Sequence, residues 1–270
     1  MKLLRTVTMA IALGMFSSTI ASAGVAVIDG TEPGRQARWQ AISEYIFGEG
    51  PIESGGHLIE LDAPSRAQDP ALVPITLKLL NKEEIEAIHL IIDDNPSPYA
   101  AKITFGPAGD PSEIKLRVRV NSYTNIHAVA ETSSGKLYQT RKFVKASGGC
   151  AAPITVSDAQ ALEGAGQMKM KFGDGDKANS ATLMIRHPNF SGMQMNQVTR
   201  HFTPARYLDK VKVTHGDQMV FELTGDISLS SDPVIGFAYE QSKAAQFVVE
   251  VTDTKGMSWE EAFMLPANTN

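Results

Sequence analysis

The residue best suited to reversible covalent chemistry is Cys150, the only cysteine in 270 residues, set in Ser147-Gly148-Gly149-Cys150-Ala151-Ala152. A thiolate attacks disulfide-like or sulfane sulfur, and a second thiol later removes the adduct, so a sulfur carrier needs the nucleophile and little catalytic machinery. Gly148 and Gly149 remove side-chain bulk, and the serine and alanines around them offer almost nothing apolar to pack. The expectation is an exposed thiol on a mobile glycine stem. A buried cysteine acting as a small hydrophobe is the plainer alternative, and these neighbours argue against it. Lys142 and Lys145 lie just upstream and would favour the thiolate if they faced it. They are more simply charges on the face of a strand.

Other chemistries have weaker support. A cysteine hydrolase needs a base beside its nucleophile, yet none of His57, His89, His127, His187, His201 and His215 lies in a Cys/His signature. His187, before Pro188, reads as a turn determinant. Eight of the eleven methionines fall between Met168 and Met264. With His187 and His201 they raise the possibility of copper, but methionine more commonly fills irregular cores and adaptable surfaces. Asp174, Asp176 and Asn179 lack the spacing and closing glutamate of a calcium loop and read as a solvated turn. No metal site and no resident cofactor is expected.

The N-terminus places the thiol in a compartment. Met1-Lys2-Leu3-Leu4-Arg5, an apolar run from Thr6 to Phe16, and Ala21-Ser22-Ala23 form the basic, apolar and small-residue regions of a secretory signal peptide over residues 1–23. The run is shorter than the roughly 20 residues a membrane helix needs. The expected product is a periplasmic protein with no membrane insertion. In an oxidising compartment an unpaired thiol points to intermolecular pairing or a reactive group. Removing the signal leaves 23 basic against 30 acidic residues, a formal charge of −7. That balance disfavours nucleic acid, which requires clustered positive charge.

These features need a scaffold, and the pattern is mostly β. Trp39, Ile42, Ile46 and Phe47 fall at helical spacing over 35–47, and Gly48-Glu49-Gly50-Pro51 stops the helix. Strands are expected at 57–61, 73–79, 85–92, 114–120, 125–131 and 136–145, with Asn95-Pro96-Ser97-Pro98 enforcing a turn. In 114–120, Ile114, Leu116, Val118 and Val120 alternate with Lys115, Arg117 and Arg119, so the three basic residues read as a solvated face. Later strands are expected at 167–172, 181–186, 207–214, 218–223, 234–239, 246–252 and 258–265, and 157–166 has no clear form. Short strands between turn signals indicate an all-β protein of two immunoglobulin-like β-sandwich domains with a short N-terminal helix.

Two sets of motifs then carry a resemblance. Ile85-Glu86-Ala87-Ile88-His89-Leu90-Ile91-Ile92-Asp93-Asp94-Asn95-Pro96-Ser97-Pro98, Gly135-Lys136-Leu137-Tyr138 and Gly148-Gly149-Cys150 resemble SoxY, the covalent sulfur carrier of bacterial thiosulfate oxidation. Ile185-Arg186-His187-Pro188 with Gly192, Ile227-Ser228 with Asp232-Pro233, Gly236-Phe237 and Asp253-Thr254-Lys255-Gly256 are similar to its partner SoxZ. The chain thus resembles a fused SoxYZ carrier of the type associated with quinoprotein dehydrogenases. The resemblance implies a SoxY-like sandwich over 35–146, a Gly-Gly-Cys loop and linker over 147–164, and a SoxZ-like sandwich over 165–268. It makes Cys150 the covalent attachment point, with Gly148 and Gly149 giving the arm its flexibility. It also implies a non-enzymatic carrier served by periplasmic oxidoreductases, a quinoprotein dehydrogenase or cytochrome c among them. Any quinone cofactor would belong to that partner. The family arm ends in a free Gly-Gly-Cys-Gly-Gly tail, whereas here Ala151-Ala152-Pro153 follow and the chain runs on, tethering the loop at both ends. The alternative is a non-catalytic adaptor for a quinoprotein (PQQ) dehydrogenase system, with a vestigial cysteine.

Overall fold

A computed structural model describes residues 30–80, 85–174, 178–242 and 244–266. The signal-peptide segment and Asp176 lie outside the described residues. Helix α1 (Glu32–Phe47) begins three residues before the apolar spacing does. Thr31 caps it, its side chain accepting from the Gly34 amide at 3.2 Å, and Pro33 sits in the first turn, where its missing N–H is harmless. Gly48, at φ 79°, ends it. The helix lies on Ile91 and Val129 through Trp39, Ile42, Ile46 and Phe47.

Eight strands follow in the first half: β1 (Ile52–Ser54), β2 (Ile59–Asp62), β3 (Val73–Leu79), β4 (Ile85–Ile92), β5 (Tyr99–Phe105), β6 (Gly109–Val118), β7 (Thr124–Thr132) and β8 (Leu137–Val144). After a short helix α2 (Asp158–Ala161), the second half supplies seven more. These are β9 (Met168–Phe172), β10 (Ser180–Ile185), β11 (Leu208–His215), β12 (Gln218–Gly225), β13 (Val234–Tyr239), β14 (Gln246–Asp253) and β15 (Ser258–Met264). β3, β4 and β13 fall on the boundaries expected from their apolar patterns. β5 escapes the sequence pattern because Ala100, Ala101 and Ile103 are all buried, which breaks alternation, and alanine is a weak strand former.

The fold is mostly β, with open sheets and two immunoglobulin-type halves, and the halves share both sheets. One sheet has nine strands in the order β1-β8-β7-β4-β5-β12-β11-β14-β15, and the other has six in the order β2-β3-β6-β13-β10-β9. The seam is antiparallel in each. β5 meets β12 through pairs such as Ile103 with Leu223, while β6 meets β13 at Ile114 with Phe237. Edges that a lone half would expose are thereby hydrogen-bonded. Gly106 and Gly109 allow the close approach, since a Cβ on either would stand 2.2 Å from the carbonyl oxygen of Met219 or Val220. One hydrophobic cluster runs through both halves, joining Ile88, Ile103 and Val118 to Leu183, Phe221 and Val249. At its centre Phe221 and Phe237 meet in a T-shape, their ring centroids 5.1 Å apart.

Candidate functional site

Val144 at the end of β8 hands the chain to Lys145, whose amide and carbonyl bond to Ser65 and Ala67. Gly148 then adopts φ 78° and ψ 14°, a left-handed conformation that favours glycine. Its amide donates to the Asn121 carbonyl at 2.8 Å, and the Gly149 amide donates to the Val120 carbonyl at 3.1 Å. Gly149–Ala151 form one 3₁₀ turn. A Cβ on Gly149 would stand 2.0 Å from the Pro70 carbonyl oxygen and 2.6 Å from that of Val120. Glycine at 149 therefore allows tight packing of the turn; in this conformation it does not provide slack.

Cys150 is fully buried, which corrects the expectation of an exposed thiol. The second half closes over the segment. Ser191 Oγ donates to the Cys150 carbonyl, and Gln194 Nε2 donates to the Ala152 carbonyl at 3.0 Å. Ser191 and Gln194 are themselves joined, the Ser191 amide donating to Gln194 Oε1 at 3.1 Å. Further along, the Ile154 amide donates to the Met195 carbonyl, and the Ile154 carbonyl accepts from the Gln197 amide. The Cys150 sulfur makes no hydrogen bond among the described residues. Burial pushes the thiol up to about 11, against the opposing pull of Arg119.

Arg119 is the second correction. It was expected on the solvated face with Lys115 and Arg117; those two are exposed, but Arg119 is 1% exposed. β6 ends at Val118, so strand alternation no longer directs the residues after it, and Val118, Arg119 and Val120 are all buried. The Arg119 guanidinium donates to the carbonyls of Pro188, Ile227 and Leu229, all from the second half. No carboxylate pairs with it among the described residues, and its Nε has no hydrogen-bond partner. Burial lowers Arg119 to about 10, with Cys150 favouring the charged form. Lys142 and Lys145 are exposed, so the cation that acts on the sulfur is Arg119.

The sequence motifs converge on this place. Asn95 Nδ2 donates to the Arg119 carbonyl and to Ser228 Oγ, both at 2.8 Å, and Asn95 Oδ1 accepts from the Asn121 amide. Ser97 bonds Asp226 across the seam. His187 is buried: its amide donates to Asp232, and its ring lies between Asn189 and Asp253. Burial holds this histidine below its ordinary value, with Asn189 and Asp253 opposing. Sequence reasoning missed Arg119, Ser191 and Gln194. Only Arg119 carried a usable signal, its place between the end of a strand pattern and the turn-forming Asn121-Ser122. No cluster of histidine, cysteine, aspartate and glutamate able to hold a metal occurs among the described residues.

Residues 43–150 match the family model for the sulfur oxidation protein SoxY, a match that ends on Cys150, and residues 169–264 match that for the sulphur oxidation protein SoxZ. The chain carries SoxY and SoxZ domains in tandem. Among solved structures, the SoxY sulfur carrier protein from Chlorobium limicola f thiosulfatophilum is 27% identical, with 42% of this chain and 94% of that one covered at a TM-score of 0.36. A superoxide reductase (neelaredoxin) from Ignicoccus hospitalis is 14% identical, covering 33% of this chain and 80% of its own at a TM-score of 0.29. No curated protein matches the chain. Arg119 thus belongs to the SoxY domain, and among the described residues its guanidinium donates only to SoxZ-domain carbonyls, while Ser191 and Gln194 of the SoxZ domain hold the last residue of the SoxY match and Ala152, two residues on.

Proposed function

We propose that this SoxY–SoxZ chain is a non-enzymatic periplasmic carrier that holds a sulfur-containing intermediate on Cys150 and presents it to partner oxidoreductases, a quinoprotein dehydrogenase or a cytochrome c among the candidates. The observation that supports it most is the lone thiol at the end of the SoxY match, seated where both domains meet and beside a buried cation. Loading is nucleophilic. The Cys150 thiolate attacks a sulfane sulfur of the donor, a sulfur–sulfur bond breaks, and the donor's other fragment leaves with the electron pair. Unloading is the same exchange run by an acceptor thiolate.

A thiol at about 11 is ionised to roughly one part in ten thousand at neutral pH. The buried conformation is therefore a storage state, and exchange proceeds through opening of the 148–152 segment. Opening breaks the bonds to Asn121, Val120, Ser191 and Gln194, a local event of the kind proteins undergo without global unfolding. Intact mass spectrometry with persulfide or thiosulfate donors tests the reading. A reductant-reversible adduct absent from Cys150→Ser is expected, and an unmodified wild-type protein would reject the carrier.

The burial of Cys150 favours a second reading, an adaptor for a quinoprotein dehydrogenase system in which the cysteine only packs. An adaptor keeps its partner binding and physiological role in Cys150→Ser. Loss of that role with binding intact excludes it.

A further inference from the structure

Arg119 presents a charge without an answering charge. A guanidinium taken out of water is stable only when anions or good acceptors replace its hydration, and breaking a buried pair leaves a costly lone ion. Three carbonyls accept from its terminal nitrogens, Nε is left over, and the neighbouring thiol is neutral in the storage state. The backbone fixes this proximity. Val120, the next residue, accepts from the Gly149 amide, and the Ser228 carbonyl accepts from the Arg119 amide, so neither group drifts from the other while the segment is closed. On the far side, Pro188 accepts from Arg119 and Ser191, three residues on, bonds the Cys150 carbonyl.

We infer that Arg119 is the counter-ion of the loaded state: the site is built to close over a negatively charged group attached to Cys150 and to reject a positively charged one. This rests on Cys150 being the attachment point. It adds that the charge of the cargo sets how firmly the segment closes. A sulfonate or an ionised persulfide supplies the anion that the empty site lacks, so loading strengthens the contact between the SoxY and SoxZ domains. A cationic cargo places two like charges together in a medium that screens them poorly.

Paired reagents reverse the charge at one chain length, and Arg119→Gln separates the charge from the size of the end group. Sulfonatoethyl and aminoethyl methanethiosulfonate each react by attack of the Cys150 thiolate on the sulfenyl sulfur. The reagent's sulfur–sulfur bond breaks, methanesulfinate leaves with the electron pair, and the thiol proton goes to solvent. The products are mixed disulfides with chains of equal length and opposite charge. The full-length protein is labelled in urea, returned to buffer and melted, with failure to regain structure counted as the lowest stability. The sulfonatoethyl adduct should melt about 4 °C or more above the aminoethyl adduct. In Arg119→Gln the difference should vanish, and in Arg119→Lys it should return in part. Equal melting of the two wild-type adducts, or a higher value for the cationic one, overturns the inference even if Arg119→Gln does not fold. These reagents label a thiol whether or not it carries sulfur in the cell. Failure to load from a persulfide donor would therefore reject the carrier, and equal melting would reject only the role of Arg119.

Discussion

At the scale of single residues, two side chains and one missing side chain define the site. Burial raises Cys150 from 9.0 to about 11, so between those values the unfolded thiol has ionised and the native one has not. The native state then binds more protons, and stability falls as pH rises through that window while remaining intact below it. The loss amounts to about 2–3 kcal/mol. Urea midpoints measured from pH 8 to 11 should show it in wild type and not in Cys150→Ser. Gly149→Ala places a methyl against the Pro70 and Val120 carbonyls, and overpacking of this kind destabilises by about 1–3 kcal/mol. Its denaturation midpoint should fall, and an unchanged midpoint would mean that the turn yields to the added methyl. The thiol was legible in the sequence because cysteine is singular there. Its burial was not, because Ser191 and Gln194, which hold the segment closed, and Arg119, whose charge acts on the thiol, are distant in the chain.

At the scale of elements, the β6 end, the Gly-Gly-Cys turn and the 187–206 segment form one latch. Ser191→Ala with Gln194→Ala removes the two side-chain bonds from the SoxZ domain to the 150–152 backbone. Each contributes about 1 kcal/mol, so native alkylation of Cys150 should quicken by tenfold or more. No change in rate would place the barrier to opening elsewhere. α1 answers to a different group. Phe47 meets His89 edge-on with centroids 5.0 Å apart, and His89 bonds Tyr99 and Glu131. Burial holds His89 below its ordinary 6.5, with Glu131 opposing. Its contribution to stability is present above pH 6.5 and is lost as pH falls through the native value. Hydrogen-exchange protection factors in α1, taken relative to the intrinsic rate at each pH, should therefore fall on acidification, and less so in His89→Gln. Strands with strict alternation, such as β3, could be read directly, whereas β5 and the residues after β6 could not, because adjacent residues there, Ala100 with Ala101 and Arg119 with Val120, are buried together.

For the whole molecule, the deciding fact is that two sequence-distinct halves share two sheets and one core. The patterns gave two sandwiches, but the pairing of β5 with β12 and β6 with β13 rests on edges that no periodicity marks. Phe221, buried at the seam, should cost about 3–5 kcal/mol when cut to alanine. The SoxY and SoxZ halves produced separately should associate on mixing, since each alone exposes two strand edges and half of the core. The seam also explains the position of the thiol: a segment held by both domains is exposed when their contact loosens locally and protected when it re-forms. The most direct measurement is the intact mass of the native protein after a persulfide donor and again after reductant. The carrier function predicts a sulfur adduct on Cys150 that the reductant removes. An unmodified Cys150 in native buffer, with ready modification in urea, would contradict it.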